Sequence, residues 1–289
     1  MTAPSTGISK ASLELVEWFT KGKKPGGAGN EDGVVLTEHC IAVVDGATAK
    51  GPLLFDGKLS GEFAKDVVAK ALAQATSATT PQDLVRQATH ALYEEVLRVT
   101  EQTPDSIESA LRPSASFIAY LPAQGMLVIV GDCHASVDGQ LFRYSLEFDD
   151  VAAEVRSRHF AWLTSPGEDY PTVDEQAQAA AGYMVAPLLR LGAAMRNKAG
   201  APYSFSVVDG TPIPFSLVHL VPVPAGTQEL LLSSDGYPAL FSTWRATESH
   251  LQGLLERDPL CIRELKGVKG RLAGNSSFDD RTYIKMKAR

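Results

Sequence analysis

Short apolar runs, many of them followed by Gly, Asp or Pro, recur along the chain and are typical of β-strands. They predict strands at Val34–Thr37, Cys40–Val44, Ala115–Leu121, Met126–Val130, Glu229–Ser234 and Thr282–Lys287. Asp138-Gly139 separates the runs Ala135–Val137 and Leu141–Tyr144, and this dipeptide is a strong signal for a two-residue hairpin. A second hairpin is predicted around Asp209-Gly210, with strands at Tyr203–Val208 and Pro214–Val221.

Apolar residues spaced three or four apart predict helices in other stretches. One helix is expected from about Ser60 to Ala75 and a second from Pro81 to about Glu101, where Thr80 is suited to be the N-cap. Further helices are predicted at 173–198, with a break near Pro187, and at Ala246–Leu255, and a short one around Leu13 to Trp18.

The order of these elements favours an α+β fold with antiparallel sheets. Hairpins dominate, and the strand–helix–strand alternation of a doubly wound parallel sheet is absent from the pattern. The 289 residues show no internal repeat, so we expect one domain over residues 1–289.

Composition narrows the class of function. The net charge of −7 gives no electrostatic basis for binding nucleic acid or an anionic membrane. No apolar stretch reaches the length of a membrane span, and residues 1–5 lack the pattern of a signal peptide. The three cysteines, Cys40, Cys133 and Cys261, are scattered and odd in number, which argues against a disulfide framework and predicts a cytoplasmic protein.

Three acidic positions at strand ends are the strongest chemical signal. Asp45 and Asp235 each follow an apolar run, and Asp279-Asp280 precedes the last predicted strand. Each Asp-Gly pair, taken alone, is either a turn or a ligand. Carboxylates that converge at the ends of buried strands require a compensating cation, and oxygen ligands suit Mg²⁺ or Mn²⁺.

Five short motifs occur in the order and spacing of a known family. They are Asn30-Glu31-Asp32, Val43-Val44-Asp45-Gly46, Val130-Gly131-Asp132, Ser234-Asp235-Gly236 and Asp279-Asp280-Arg281-Thr282. Through them the chain resembles the metal-dependent serine/threonine protein phosphatases, the type 2C or PPM family, in a divergent bacterial-type form. The resemblance implies a four-layer αββα sandwich with two central antiparallel sheets.

The resemblance also implies a mechanism and a set of ligands. In the family, two Mg²⁺ or Mn²⁺ ions activate a bridging water that attacks a phosphoserine or phosphothreonine of a protein substrate. Asp45 would bridge both ions and Gly46 would add its carbonyl, while Asp235 and Asp279 would complete the second site. These three aspartates are the predicted catalytic residues. Glu31 and Asp32 would act mainly through bound waters, and Asp132 corresponds to a ligand of a third ion.

Two departures from the family pattern leave alternatives open. Gly27 stands where many members carry a phosphate-binding Arg, so Lys23 and Lys24 become the candidates for binding the substrate phosphate. Ala47-Thr48 stands where many members have His after the second Asp-Gly. The alternatives are a small-molecule phosphatase on the same fold and a non-catalytic pseudophosphatase that binds a signalling partner. The segment 144–171 is the expected flap or specificity element.

Overall fold

The computed structural model describes residues 13–49, 51, 53–163 and 175–289. Its strands are β1 (Leu13–Lys21), β2 (Asp32–Leu36), β3 (Ile41–Ala47), β4 (Ser114–Leu121), β5 (Met126–Val130), β6 (His134–Val137), β7 (Gln140–Phe142), β8 (His219–Pro222), β9 (Glu229–Ser233) and β10 (Arg281–Ala288). Its helices are α1 (Ser60–Leu72), α2 (Pro81–Thr100), α3 (Glu147–Leu163), α4 (Glu175–Ala193) and α5 (Trp244–Arg257).

The strands form two five-stranded sheets in which neighbouring strands are antiparallel. One sheet has the order β2-β3-β4-β5-β8, and we call it the first sheet. The second sheet has the order β1-β10-β9-β6-β7. The predicted α+β class with two central antiparallel sheets is therefore confirmed.

Three apolar cores separate four layers. Val43, Ile118, Leu232 and Ile284 belong to the core between the two sheets. The outer face of the first sheet packs on α1 and α2 through a second core, and the outer face of the second sheet packs on α5 through a third. This is the predicted αββα sandwich, because each sheet buries both faces and each helical layer covers one of them.

The start of α2 follows the predicted chemistry. The Thr80 hydroxyl accepts a hydrogen bond from the Asp83 amide at 3.2 Å, and Pro81 occupies the first turn. The Asp83 carboxylate also accepts from the Thr80 amide, which completes a capping box. Such a cap stabilises a helix by about 1 kcal/mol.

The first predicted element is wrong in type. Residues 13–21 form strand β1, not a helix, and β1 pairs with β10 at the edge of the second sheet. Leu15, Val16 and Trp18 are each at least 40% exposed. The apolar spacing was read as helical, but it belongs to an edge strand with a bulge between Leu15 and Glu17.

The predicted hairpin around Asp209-Gly210 is also wrong. Only β8, from His219, joins a sheet, and it pairs with β5 rather than with residues 203–208. Residues 203–218 otherwise contribute only isolated bridges, such as Ala115 with Val208. Pro212 and Pro214 lack the N–H groups that a ladder requires. Asp209 instead is fully buried and accepts hydrogen bonds from the side chains of Arg112, Asn197 and Thr211.

The long helical stretch differs in one respect from its prediction. From Glu175 to Ala193 the chain is a single helix that contains Pro187, so the predicted break is not present. Residues 173 and 174 lie outside the described part of the chain. The 144–171 segment contains α3, and its residues 164–171 also lie outside. Within the described residues, no helix is both long and apolar enough to cross a membrane.

Candidate active site

Two of the predicted ligands lie side by side on the first sheet. Asp32 on β2 is the cross-strand partner of Asp45 on β3, so both side chains project from the same face. Asp45 follows Val43 by two residues, and Val43 lies in the core between the sheets. Strand alternation thus places both carboxylates at the end of the inter-sheet layer.

A serine directly after β9 connects the second sheet to Asp32 of the first sheet. The Ser234 hydroxyl donates a hydrogen bond to Asp32 Oδ2 at 2.6 Å and accepts one from the Thr282 amide at 3.0 Å. Asp235 follows Ser234 directly, and Asp280 accepts hydrogen bonds from the amides of Glu31 and Lys23 at 2.9 and 2.7 Å. The ends of β2, β9 and β10 are therefore joined by polar contacts around the carboxylates.

Glycines in the motifs permit this close approach. A Cβ atom on Gly46 would lie 2.1 Å from the carbonyl oxygen of Gly61, and one on Gly236 would lie 1.9 Å from that of Asp280. Gly131 has φ +85°, and a Cβ there would also meet the Ser116 hydroxyl at 2.1 Å. The Asp-Gly pairs at 45 and 235 therefore serve close packing around carboxylates and are not hairpin turns.

Burial and mutual repulsion make the carboxylates reluctant to ionise. Desolvation, together with the charges of Asp32, Asp235, Asp132 and Asp279, raises the pKa of Asp45 well above its usual range. Desolvation, with the charges of Asp132 and Asp279, also raises the pKa of Asp235 to about 7. A nearby positive charge would stabilise the ionised form of these carboxylates, so the site favours the binding of a cation.

The pKa of Asp32 is raised as well. Desolvation raises it to about 8, and the charges of Asp279 and Asp280 add to the shift, although the Ser234 hydrogen bond opposes it. Asp32 is only 3% exposed. Although the hydroxyl groups of Ser234 and Thr282 both donate to Asp32, burial and the anionic neighbours outweigh them, so a bound proton or a cation would stabilise this carboxyl.

Asp132 opens onto a small cavity of about 120 Å³, which we call the acidic cavity. Its carboxylates are those of Asp132, Asp149, Asp150, Asp235 and Asp279. The pKa of Asp132 is raised by desolvation and by the charge of Asp149, which lies on α3. The predicted insert therefore contributes acidic side chains to the site through its first helix.

Asp279 differs from the other aspartates because two lysines neutralise it. Lys23 Nζ lies 2.9 Å from Asp279 Oδ1, and Lys269 Nζ binds the other carboxylate oxygen. Burial alone would raise the pKa of Asp279, but the two ammonium groups outweigh it and hold that pKa below its usual value. Lys23 also lies 3.5 Å from Glu31 Oε2, whose other oxygen accepts a hydrogen bond from Thr48.

The donor chemistry of these residues fits a hard divalent cation. Carboxylate oxygens of Asp45, Asp235 and Asp279 and the carbonyl oxygen of Gly46 are the ligand types that Mg²⁺ and Mn²⁺ prefer. Among the described residues, however, no three His, Cys, Asp or Glu side chains are arranged to hold an ion as they stand. In this arrangement the ammonium groups of Lys23 and Lys269 supply the compensating charge at Asp279.

Sequence reasoning missed three residues of the site. Lys269 binds Asp279 from an irregular loop, Asp280 joins β10 to the start of β2, and Arg143 lines the acidic cavity beyond the end of β7. Asp280, although part of one of the five motifs, and Arg143 make their contacts across large sequence separations, and Lys269 lies on an irregular loop, so the sequence assigned none of them a role. Cys133 and His134 are buried, and burial together with the charge of Arg143 lowers the pKa of His134 to about 3. All three cysteines are free.

No family model and no curated protein matches the chain. Among solved structures, it is similar to the serine/threonine phosphatase PstP/Ppp of Mycobacterium tuberculosis, with TM-score 0.46 and 18% identity over 96% of this chain and 99% of that one. For the PPM Ser-Thr phosphatase MsPP of Mycobacterium smegmatis, in complex with cacodylate, the TM-score is 0.47 at 18% identity, over 97% and 100% of the chains. For Stp1 of Staphylococcus aureus the TM-score is 0.49 at 13% identity, over 99% and 100%. The catalytic domain of PstP has also been solved with two manganese ions. At these identities the likeness is one of fold, so function must follow from the chemistry of the site.

Proposed function

We propose that this chain is a Mg²⁺- or Mn²⁺-dependent phosphomonoester hydrolase that acts on phosphoserine or phosphothreonine in proteins. The observation that supports the proposal most is the cluster of Asp32, which is buried, with Asp45 and Asp235, which are partly buried. Desolvation raises the pKa of all three. Buried carboxylates that repel one another are costly to a fold unless they bind something cationic. A structural role alone does not account for three of them at the junction of two sheets.

Under this proposal, two ions would be bound by ligands from both sheets. Asp45, with Gly46 beside it, is central, because its charge is coupled to those of Asp32, Asp132, Asp235 and Asp279. Asp235 and Asp279 approach it from the second sheet. Divalent ions, when bound, supply Lewis acidity and an activated water for attack on phosphorus.

Glu31, Asp32 and Asp132 form the outer part of this ligand set. Asp132 faces the acidic cavity, where a third ion would have the carboxylates of Asp149 and Asp150 nearby. Glu31 is held by the Thr48 hydroxyl and faces Lys23. These three carboxylates orient water and add negative charge, which strengthens the binding of divalent ions at the centre.

The substrate phosphate needs a cationic partner, and Arg143 is suited to the task. Arg143 lines the acidic cavity and is exposed. Among the described residues its guanidinium makes a hydrogen bond of 3.3 Å to the Pro238 carbonyl and no ion pair with a carboxylate within 4 Å. A guanidinium binds phosphate in a bidentate manner, whereas Lys23 is already paired with carboxylates.

A second candidate function has its own supporting observation. Because Lys23 and Lys269 already neutralise Asp279, the site has a charge balance that needs no ion at that residue. A pseudophosphatase that binds a phosphorylated partner without turnover would keep such a balance. A small-molecule phosphatase remains the third candidate, and its ligand set would be the same.

Hydrolysis of para-nitrophenyl phosphate by the purified protein, with and without Mn²⁺, separates the candidates. We expect Mn²⁺-dependent turnover that falls at least about 100-fold in Asp45→Asn, since the variant weakens several ion contacts at once. Asp105→Asn, at an exposed residue of the short 3-10 helix Pro104–Ser106, is the matched control and should keep wild-type turnover. Phosphopeptides and small phosphomonoesters are then compared as substrates. Mn²⁺ binding without turnover would favour the pseudophosphatase, and wild-type turnover in Asp45→Asn would refute the two-metal mechanism.

A further inference from the structure

A second, much larger cavity adjoins the acidic one and has the opposite charge. It encloses about 1060 Å³ and shares Val268, Lys269 and Phe278 with the acidic cavity. We call it the basic cavity. Its described lining includes Lys23, Lys24, Arg156, Lys269 and Arg271, and none of its described lining residues is acidic. The described lining is thus positively charged, whereas the whole chain has a net charge of −7.

The wall of the basic cavity is held by buried polar contacts. Arg156 on α3 is 1% exposed and donates to the carbonyl groups of Leu260, Cys261 and Gly267, at 2.8, 3.2 and 3.1 Å. Asp258 accepts hydrogen bonds from four successive amides, those of residues 262–265. A loop fixed in this way is a preformed surface, which lowers the entropic cost of binding a ligand.

The cations of the basic cavity line a surface that adjoins the proposed phosphate site. Lys24 has no ion pair among the described residues, and Arg271 follows the junction residue Lys269 by two positions. Lys23 and Lys269 stand at the boundary and are paired with Asp279. When a divalent ion takes over the neutralisation of Asp279, these two ammonium groups add their charge to the basic cavity.

The volume indicates the size of the ligand. A phosphorylated side chain alone fills far less than about 1060 Å³, whereas several residues of an extended peptide fit such a space. We therefore propose, on the basis of the proposed function, that the basic cavity binds acidic residues flanking the phosphorylated residue of a peptide substrate. The phosphate would enter the acidic cavity, and Glu or Asp side chains next to it would contact Arg271 and Lys24.

The proposal is tested by binding and by turnover in the full chain. Two phosphothreonine peptides are compared that differ only in having Glu or Gln at the flanking positions. Fluorescein-labelled, unphosphorylated versions of both peptides report binding by anisotropy, independently of hydrolysis. We expect the Glu peptide to bind about tenfold more tightly than the Gln peptide and to show a lower KM by a similar factor, an advantage that falls with added salt.

Charge reversal assigns the preference to the cavity. Arg271→Glu should abolish the Glu-over-Gln preference, and the milder Arg271→Gln should reduce it. Arg245→Glu makes the same charge change at an exposed residue of α5 that lines neither cavity, and it should keep the preference. Circular dichroism confirms that each variant is folded.

Failure of this proposal is distinguishable from failure of the proposed function. Equal binding of the two peptides by the wild-type protein overturns the docking proposal, even if para-nitrophenyl phosphate is hydrolysed with Mn²⁺. So does a preference that survives Arg271→Glu. Absence of Mn²⁺-dependent hydrolysis, together with a Glu preference that Arg271→Glu removes, overturns the enzymatic function and supports the cavity as a docking site.

Discussion

Lys269 forms an ion pair with Asp279, and Asp279 is one of the carboxylates predicted to bind a catalytic metal. The lysine side chain is 47% exposed and lies on an irregular loop, so it is able to move away. Desolvation lowers the pKa of its ammonium, but the carboxylates of Asp279, Asp235 and Asp45 outweigh this and raise it. Lys269 is therefore cationic at neutral pH and competes with any ion that uses Asp279.

Removing this competing charge should strengthen metal binding. We expect Lys269→Gln to bind Mn²⁺ about tenfold more tightly, a difference of about 1.4 kcal/mol, as measured by isothermal titration calorimetry. Lys58→Gln is the control, since Lys58 pairs with Asp66 on the surface, away from either cavity. Equal Mn²⁺ affinity in wild type and Lys269→Gln would show that the lysine does not oppose the ion.

Arg143 should contribute to substrate binding more than to the chemical step. Arg143→Ala is expected to raise KM for para-nitrophenyl phosphate about tenfold with a smaller fall in kcat, because it removes a phosphate contact made in the ground state. Arg143→Lys should recover only part of the loss, since an ammonium lacks the bidentate geometry. If KM is unchanged in both variants, the phosphate is bound by other residues, and Lys23 and Lys24 become the candidates to test.

The metal-free protein should lose stability between pH 6.5 and 8. Asp235 and Asp32 have folded pKa values of about 7 and about 8, whereas in the unfolded chain both are ionised above pH 5. The native state thus binds more protons than the unfolded state, so stability falls as pH rises through this window. The loss is about 2–3 kcal/mol. His134 acts weakly in the opposite direction, because its folded pKa is lowered to about 3 while the unfolded imidazole, with a pKa of about 6.5, still loses about half a proton between pH 6.5 and 8; this offsets less than about 0.5 kcal/mol.

Thermal unfolding in EDTA at several pH values measures this dependence. Asp235→Asn should have a shallower slope than wild type and a higher melting temperature at pH 8. Saturating Mn²⁺ should raise the melting temperature of wild type most at high pH, where the carboxylates are ionised. A melting temperature that rises from pH 6.5 to 8 without metal would contradict the raised pKa values.

The ion pair between Arg281 and Glu248 should be important for stability. Arg281 is fully buried and donates to both Glu248 oxygens at 2.8 and 2.7 Å, and the Tyr237 hydroxyl donates to the same carboxylate at 2.7 Å. Glu248→Ala leaves the guanidinium buried without its partner and should cost about 3–5 kcal/mol in urea unfolding. Glu264→Ala, which breaks the exposed pair with Arg257, should change the free energy of unfolding much less.

The strands that carry the predicted ligands were predictable because their signals are local. Met126–Val130 was predicted at its observed bounds, and β3 and β9 were found within a few residues. The turn at Asp138-Gly139 also follows the sequence, with φ +48° and +84° at its two residues. Strands that are buried on both faces consist of continuous apolar residues, and such runs can be recognised directly in the sequence.

The remaining features depend on contacts between distant residues. Burial of Asp209 depends on Arg112 and Asn197, and no pattern near residue 209 indicates either partner. Strand β1 exists because β10, more than 250 positions later, provides its ladder. The Lys269–Asp279 pair is separated by only ten residues, but nothing in the sequence of an irregular loop fixes the direction of its side chains.

The Ser234 hydroxyl makes the spacing of the two sheets part of the chemistry. It is hydrogen-bonded to Asp32 in the first sheet and to the Thr282 amide in the second. The distance between the sheets therefore sets the distance between the aspartates of the first sheet and those of the second. The apolar core between the sheets fixes this distance, because its side chains are closely packed. They include Val43, Ile118, Leu232 and Ile284. A methylene added to or removed from that core would shift the carboxylates relative to one another without touching them. The apolar interior thereby sets the spacing of the carboxylates, and under the proposed function it would also influence which ion radius they accept.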